Sequence, residues 1–178
     1  MNSNVAELDP VTLDAAYSQY VNPQWVKLLS VLGINRQFVR AYGAELFTTE
    51  GDRFLDFLAG YGVYNVGHHH PSITKELIDE LQSQRPSMLQ SHVPSLAAQL
   101  AEKLCVLAKG RIEKVHFANT GSEGVESAMK FSRKHTGRDG ILYAEGGFHG
   151  LTYGALSLMS NPWWREGFGS LVPHTTPV

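Results

Sequence analysis

The 178-residue sequence has a single cysteine, Cys105, so it can form no internal disulfide and no zinc site built from several cysteines. Its 15 Lys and Arg residues nearly balance its 17 Asp and Glu residues, and no basic excess points to nucleic acid or an anionic membrane. No apolar run reaches the roughly 20 residues that span a bilayer, and the first ten residues do not resemble a signal peptide. We therefore expect a soluble, cytoplasmic protein without nucleic-acid or membrane partners.

The first third of the chain predicts short helices followed by a small antiparallel sheet. Residues 11–32 carry irregularly spaced apolar residues around Pro23, which indicates one or two short helices. Residues 38–57 contain short apolar runs that are interrupted at Gly43 and at residues 50–52. This pattern is typical of a β-meander with a tight hairpin.

The rest of the chain predicts helices and then an alternation of strand and helix. One helix is expected to begin at Pro71 and another near Ser95. Residues 112–118 and 141–144 look like strands on either side of a helix over residues 121–135. This order predicts the α/β class with a parallel or mixed sheet.

The segment 117–124 is the strongest local signal for a ligand. It predicts a strand end, a turn of small and hydroxyl-bearing residues, and a helix start at Thr120, Gly121 and Ser122. Such a turn offers unpaired N–H groups and the positive end of a helix dipole to a phosphate group. The same residues also fit a capping box between Thr120 and Glu123 that needs no ligand. The P-loop lysine and the GxGxxG spacing are both absent.

A second signal is the glycine-rich loop 146–150, which follows the predicted strand 141–144. Ligands of open α/β sheets bind beyond the carboxyl ends of strands, so this loop and the Thr120 turn should face one crevice. The glycines would leave the ring of Phe148 free to stack on a flat ligand. An aromatic residue in such a loop also serves ordinary packing.

The run His68, His69 and His70 suggests a metal site, because imidazoles bind zinc and nickel. Adjacent histidines point in different directions, however, and no HExxH motif or spaced carboxylate accompanies them. We therefore predict no metal and interpret this run as a turn and helix start with polar partners.

Taken together, these segments resemble the class III pyridoxal-phosphate (PLP) aminotransferases, a fold-type-I group that includes ornithine, acetylornithine and 4-aminobutyrate aminotransferases. The likeness extends from about Val39 to Ser157. The matching segments, in family order, are Gly51-Asp52-Arg53-Phe54-Leu55-Asp56-Phe57, Gly60-Tyr61-Gly62, Gly67-His68-His69-His70-Pro71, Asn119-Thr120-Gly121-Ser122-Glu123 and Gly147-Phe148-His149-Gly150.

The resemblance implies the α/β fold of PLP-dependent transferases of fold type I, in incomplete form. Residues 1–67 would be the helical and β-meander segment of the small domain. Residues 68–178 would begin the large αβα domain that binds PLP. The family also implies a homodimer with cofactor sites at the subunit interface.

The resemblance further implies which residues bind the cofactor. By similarity, Gly121 and Ser122 hold the PLP phosphate with Thr120 alongside. Phe148 stacks on the pyridine ring and His149 lies beside it. Charge-assisted hydrogen bonds and aromatic stacking suit these two tasks.

Two residues bear on the substrate that the resemblance implies. Tyr61 matches a family residue near the substrate. Several family members carry an arginine after the Phe-His-Gly triplet, where it meets a substrate carboxylate, whereas this chain has Leu151. Leucine cannot make that bidentate contact, which argues against an acetylornithine-like substrate. A diamine, an ω-amino acid or a different anchor for the substrate carboxylate is easier to accommodate. The expected reaction therefore transfers an amino group from an amine or ω-amino acid donor to an oxo acid. An aminomutase or a decarboxylase of the same fold remains the alternative.

The resemblance also implies residues that this chain lacks. In the family, the Schiff-base lysine and the acid that faces the pyridine nitrogen lie well after the Phe-His-Gly loop, and we expect both beyond Val178. No catalytic residue is therefore assigned within the chain, and the chain alone is predicted to be inactive. A naturally short, non-catalytic binding module and a histidine-based metallohydrolase remain alternative interpretations.

Overall fold

A computed structural model describes residues 9–86 and 89–178 of the chain. The chain divides into two compact units, of which the first ends at Leu89 and the second begins at Gln90. The predicted boundary after residue 67 concerns the domains of a complete transferase, and it stays a prediction. No helix in the described ranges is both long enough and apolar enough to cross a membrane.

Two capped helices open the first unit. Helix α1 spans Pro10–Tyr20 and helix α2 spans Pro23–Val31. The side chains of Asp9 and Asn22 accept hydrogen bonds from the first backbone N–H groups of these helices, and proline at the first helical position removes a donor that would otherwise be unpaired. The prediction of one or two short helices is confirmed, and there are two.

A three-stranded antiparallel meander follows, as predicted. Strands β1 (Phe38–Tyr42), β2 (Glu45–Thr48) and β3 (Arg53–Leu55) lie in the order β1-β2-β3. The hairpin between β1 and β2 turns at Gly43, whose φ of 57° suits glycine in a tight turn. A bridge between Gly43 and His68 ties the meander to the following segment.

The remainder of the first unit contains one short turn and one regular helix. Turn α3 (Ala59–Gly62) holds left-handed backbone at Gly60 and Tyr61. Helix α4 (Pro71–Gln82) begins at the predicted proline.

The second unit contains helices around a small parallel sheet. Its elements are α5 (Ser95–Leu107), α6 (Gly121–Thr136), β4 (Ile141–Tyr143), α7 (Tyr153–Leu156), α8 (Pro162–Arg165) and β5 (Thr175–Pro177). Strands β4 and β5 pair in parallel, with Ile141 opposite Thr175. Helices and a parallel strand pair agree with the predicted α/β class.

The core of the second unit lies between α6 and β4. Met129, Tyr143 and Leu158 form a buried cluster, and Val125, Ile141 and Val172 pack against it. This cluster fixes α6 against the strand that precedes the glycine-rich loop. The core therefore sets the distance between the two segments that the sequence analysis selected.

The predicted strand over residues 112–118 is wrong. This segment is irregular, and no backbone hydrogen bond joins it to another part of the described chain. The β-branched and aromatic residues Ile112, Val115 and Phe117 favour an extended backbone, but a strand also needs a neighbour that completes its hydrogen bonds. Local pattern alone does not supply that neighbour.

Candidate functional site

Helix α6 begins with a capping network that leaves its first turn well ordered. Thr120 has extended backbone, and its Oγ1 accepts a 3.1 Å hydrogen bond from the N–H of Glu123. The carboxylate of Glu123 reaches back and accepts a 2.7 Å bond from the N–H of Asn119. This arrangement resembles a capping box whose return bond lies one residue earlier than usual. The turn is therefore held in place by the chain itself.

The same turn keeps several donors free. Within the described residues, the backbone N–H groups of Gly121 and Ser122 and the hydroxyl of Ser122 have no hydrogen-bond partner. No atom lies within 4 Å of the position that a side chain on Gly121 would take. Unpaired N–H groups and the positive end of the α6 dipole favour an anion at this point.

The glycine-rich loop approaches α6 at Ser122. Gly150 is buried with a φ of 123°, and a Cβ placed there would overlap the Ser122 hydroxyl and lie 3.1 Å from Cβ of Ala155. Only glycine permits this approach, because both the backbone angle and the space exclude a side chain. The structure thus brings together the Thr120 turn and the Phe148-His149-Gly150 loop.

Phe148 and His149 occupy different environments within that loop. The Phe148 side chain is 62% exposed and meets Trp164 at a centroid distance of 5.4 Å in an edge geometry. The His149 ring lies 6.0 Å from that of Tyr143, and its backbone N–H contacts Sδ of Met159 at 3.2 Å. Nε2 of His149 is buried without a hydrogen-bond partner in the described residues. The loop that approaches α6 at Gly150 therefore carries an exposed ring and an unpartnered buried nitrogen.

These features fit a flat ligand that carries a phosphate group. The free N–H groups and the hydroxyl of Ser122 match phosphate oxygens, Phe148 offers an accessible ring, and Nε2 of His149 has an unused hydrogen bond. Buried polar atoms are usually paired, so an unpaired one in the loop that approaches the free helix start is consistent with a bound group. PLP has the shape and charge that this arrangement accepts.

Leu151 follows the loop and lines a cavity of about 590 Å³. The other lining residues are mostly apolar or aromatic, with one carboxylate: Tyr153, Leu156, Trp163, Trp164, Glu166 and Phe168. No arginine or lysine lines this cavity, so it offers no cation to a substrate carboxylate.

Tyr61 belongs to the first unit and is 90% exposed. It lies in a run of four residues with positive φ, from Ala59 to Gly62. Left-handed backbone is costly for tyrosine and alanine and persists only where the surroundings impose it. Tyr61 is thus presented to solvent on a strained turn.

Asp56 holds this turn in place. Its carboxylate accepts hydrogen bonds from the N–H of Leu58 at 3.0 Å and of Ala59 at 2.8 Å. It also accepts a 2.8 Å bond from Nε2 of His68, whose ring stacks on Tyr64 at 4.1 Å. An aspartate just before a glycine-rich turn is a known turn signal, but nothing in the local sequence identifies His68 as its partner.

The hydrogen bond from His68 lowers the pKa of Asp56 below its ordinary value of 3.8, and the N–H of Ala59 lowers this pKa further. The Asp56 side chain is only 11% exposed. A carboxylate with three donors around it favours its charged form. Asp56 is therefore a charged anchor for the Tyr61 turn.

Of the histidine run, only His68 has a side-chain hydrogen-bond partner among the described residues. His68 pairs with Asp56, and the carbonyl of His70 accepts the N–H of Thr74 in the first turn of α4. The described residues contain no group of three or more His, Cys, Asp or Glu side chains arranged for a metal ion.

The lysines of the chain all lie at exposed positions. They are Lys27, Lys75, Lys103, Lys109, Lys114, Lys130 and Lys134.

A family model for class-III aminotransferases matches residues 31–178. The chain belongs to this family. Class-III aminotransferases use PLP, which agrees with the fit of the helix start and loop. The resemblance seen in the sequence motifs is confirmed.

Two solved structures confirm the fold of PLP-dependent transferases. A PLP-bound amine transaminase from an uncultivated Pseudomonas species matches with a TM-score of 0.71 and 26% identity over 79% of this chain and 33% of its own. The ornithine aminotransferase of Toxoplasma gondii matches with a TM-score of 0.83 and 20% identity over 98% of this chain and 41% of its own.

Among curated relatives, the aminotransferase PigE of Serratia sp. is 42% identical over 168 residues. The match covers 94% of this chain and 20% of PigE. The chain thus spans about a fifth of that relative and between a third and two fifths of the two solved structures.

Proposed function

We propose that this chain supplies the phosphate- and ring-binding part of a PLP-dependent aminotransferase. The reaction would transfer an amino group from an amine or ω-amino acid donor to an oxo acid. The observation that carries this proposal is the contact of Gly150 with Ser122. That contact sets the loop that carries Phe148 against the helix whose first donors are free, which supports a site shared by the two segments.

Each residue at this site has a task that follows from its geometry. The N–H groups of Gly121 and Ser122 bind phosphate oxygens, and the Ser122 hydroxyl adds a further donor. Thr120 keeps the turn in shape, since its Oγ1 is occupied by the N–H of Glu123. Phe148 orients the pyridine ring by stacking, and Nε2 of His149 provides a hydrogen bond beside it. When bound, PLP supplies the electron-withdrawing ring that aminotransferase chemistry needs.

The donor class follows from the residue after the loop. Leu151 lines an apolar, aromatic cavity without a basic side chain. A carboxylate placed there would lose its water without gaining a cation. We therefore propose a donor such as a diamine or an ω-amino acid whose carboxylate is bound elsewhere. From the family likeness alone, we also propose Tyr61 as a substrate-binding residue.

We also propose that the Schiff-base lysine lies outside residues 1–178. All lysines of the chain lie at exposed positions, whereas a reactive lysine needs a site that shields it from water. The family likeness supports two further proposals. The first is that the protein is a homodimer. The second is that it works in the cytoplasm, because a chain with a single cysteine has no internal disulfide and therefore suits a reducing compartment.

The test of this function is a half-reaction with the full-length gene product. The protein is loaded with PLP and mixed with a panel of amines in the absence of an oxo acid. We expect close to one equivalent of carbonyl product per site from the preferred amine, and formation of an amino acid after an oxo acid is added.

Other products would identify the alternatives. Release of carbon dioxide would indicate a decarboxylase, and movement of the amino group within one molecule would indicate an aminomutase. Either result, or the absence of PLP binding, would contradict the proposed transfer.

A further inference from the structure

Glu126 accepts hydrogen bonds from residues 152–155, the segment that follows the Phe148 loop. Its Oε1 accepts hydrogen bonds from the hydroxyl of Thr152 at 2.6 Å, from the N–H of Gly154 at 2.8 Å and from the N–H of Ala155 at 3.3 Å. The N–H groups of Gly154 and Ala155 lie in the first turn of α7, where they have no partner within the helix and where a carboxylate is favoured. One carboxylate oxygen thus holds three donors from a single short segment.

The contact with Glu126 requires glycine at position 154. A Cβ at this position would overlap the Glu126 carboxylate, so the absence of a side chain allows α7 to approach α6 this closely. The buried residue Ala155 also lies against Gly150, with 3.1 Å between its Cβ and the position of an added Cβ. The segment that Glu126 holds is therefore packed directly against the end of the Phe-His-Gly loop.

Ser122 and Glu126 lie one turn apart on α6, since residues at i and i+4 share a helix face. Ser122 contacts Gly150, and Glu126 contacts residues 152–155. The same face of α6 therefore contacts two consecutive parts of the chain. Ser122, in the candidate phosphate site, contacts the end of the glycine-rich loop, and Glu126, outside that site, contacts the segment that follows the loop.

We propose that Glu126 is a positioning residue for the PLP site. It fixes the distance between the free N–H groups at the start of α6 and the ring of Phe148 through its hydrogen bonds to Thr152, Gly154 and Ala155. This inference rests on the proposed function, because it assigns to that function a residue that touches neither phosphate nor ring.

Two probes separate positioning from a merely structural role. Binding of inorganic phosphate requires only the start of α6. Binding of PLP also requires the Phe148 loop at the correct distance from that helix start. In Glu126→Ala, we expect the affinity of the full-length apoprotein for PLP to fall by about 2-fold to 30-fold, the range found for residues that couple two parts of a site. The affinity for inorganic phosphate should stay within about 2-fold. Both are measured by equilibrium dialysis below the unfolding temperature of the variant.

Two further variants complete the test. Glu126→Gln keeps an acceptor oxygen and should recover most of the PLP affinity. Glu102→Ala, on the exposed side of α5, is the matched control and should bind both probes like the wild type. If Glu126→Ala does not fold, Thr152→Val removes one donor with little change of shape and should weaken PLP binding in the same direction.

Three results overturn the inference. They are unchanged PLP affinity in the variants that fold, an equal loss for PLP and phosphate, and a failure of Glu126→Gln to recover affinity. Absence of PLP binding by the wild type is a separate result, which would overturn the proposed function itself.

Discussion

At the scale of single residues, missing side chains matter as much as present ones. Gly150 and Gly154 each stand where a Cβ would overlap a side chain of α6, the first at Ser122 and the second at Glu126. Gly124, by contrast, lies inside α6 with no atom within 4 Å of an added Cβ. The loop can reach the helix only because two particular positions lack side chains.

Gly150→Ala should therefore damage the site. The substitution imposes a φ of 123° on alanine and forces Ser122 to move, which we expect to cost about 1–3 kcal/mol of stability and to weaken PLP binding. Urea denaturation and PLP titration of the full-length gene product measure the two effects. Gly124→Ala is the control and should be neutral or stabilising by up to about 1 kcal/mol. Equal behaviour of the two variants would contradict this role for Gly150.

The lowered pKa of Asp56 should make the free energy of unfolding depend on pH. The His68 hydrogen bond lowers the pKa of Asp56 in the folded chain below 3.8, so the folded state binds this proton less readily than the unfolded state. The stabilisation is fully present above the ordinary pKa and is lost as the pH falls through the lowered folded value. In Asp56→Asn, the free energy of unfolding should fall at neutral pH, and its decline below about pH 4 should become shallower.

The control for this profile is Asp139→Asn, because the Asp139 side chain makes no hydrogen bond or ion pair in the described residues. Stability is measured by urea denaturation across the acid range. Parallel profiles for wild type and Asp56→Asn would show that the pair with His68 contributes nothing.

At the scale of elements, α6 is the part of the fold whose local sequence is most consistent. Thr120 caps its start, Glu123 lies in its first turn, and Gly137 ends it with a φ of 68°. Basic residues in the last turn complement the helix dipole. Local signals alone therefore specify where this helix begins and ends.

Thr120→Ala should loosen the first turn of α6. Loss of the bond from the N–H of Glu123 typically costs about 0.5–2 kcal/mol. Hydrogen exchange of the first α6 amides should become faster in the full-length protein, whereas Thr120→Ser, which keeps the hydroxyl oxygen, should leave it nearly unchanged. Unaltered protection in Thr120→Ala would contradict the capping role.

Elements that depend on local signals were predictable from the sequence, whereas contacts between distant residues were not. The meander, α4 and α6 follow from turn residues, prolines and caps that act over a few positions. The predicted strand over residues 112–118 fails because a strand depends on a distant partner. The Asp56 pair with His68 and the Glu126 contacts with residues 152–155 span 12 to 29 residues, so local pattern carried no sign of them.

At the scale of the whole molecule, much of the apolar surface of residues 9–86 and 89–178 faces solvent. Large exposed side chains include Phe57 at 93%, Leu81 at 81% and Val93 at 79% exposure. Many large apolar side chains exposed to solvent promote association. We expect a protein made of residues 1–178 alone to associate at low concentration, which light scattering would detect. A monodisperse monomer would contradict this expectation.

The same isolated chain should form no specific covalent adduct with PLP. All its lysines lie at exposed positions, so borohydride reduction after PLP addition should label none of them stoichiometrically. Peptide mapping by mass spectrometry makes this measurement. One fully labelled lysine would show that the covalent attachment site lies within residues 1–178.

Binding of the cofactor phosphate at the start of α6 can be measured by PLP titration of the Ser122→Ala apoprotein. Ser132→Ala is the matched control, since Ser132 lies on the same helix at an exposed position three turns away. Loss of a hydrogen bond to a charged group costs about 1.5–3 kcal/mol. We therefore expect PLP affinity about 10-fold to 150-fold weaker in Ser122→Ala and unchanged in Ser132→Ala. Equal affinities for the two variants would contradict it.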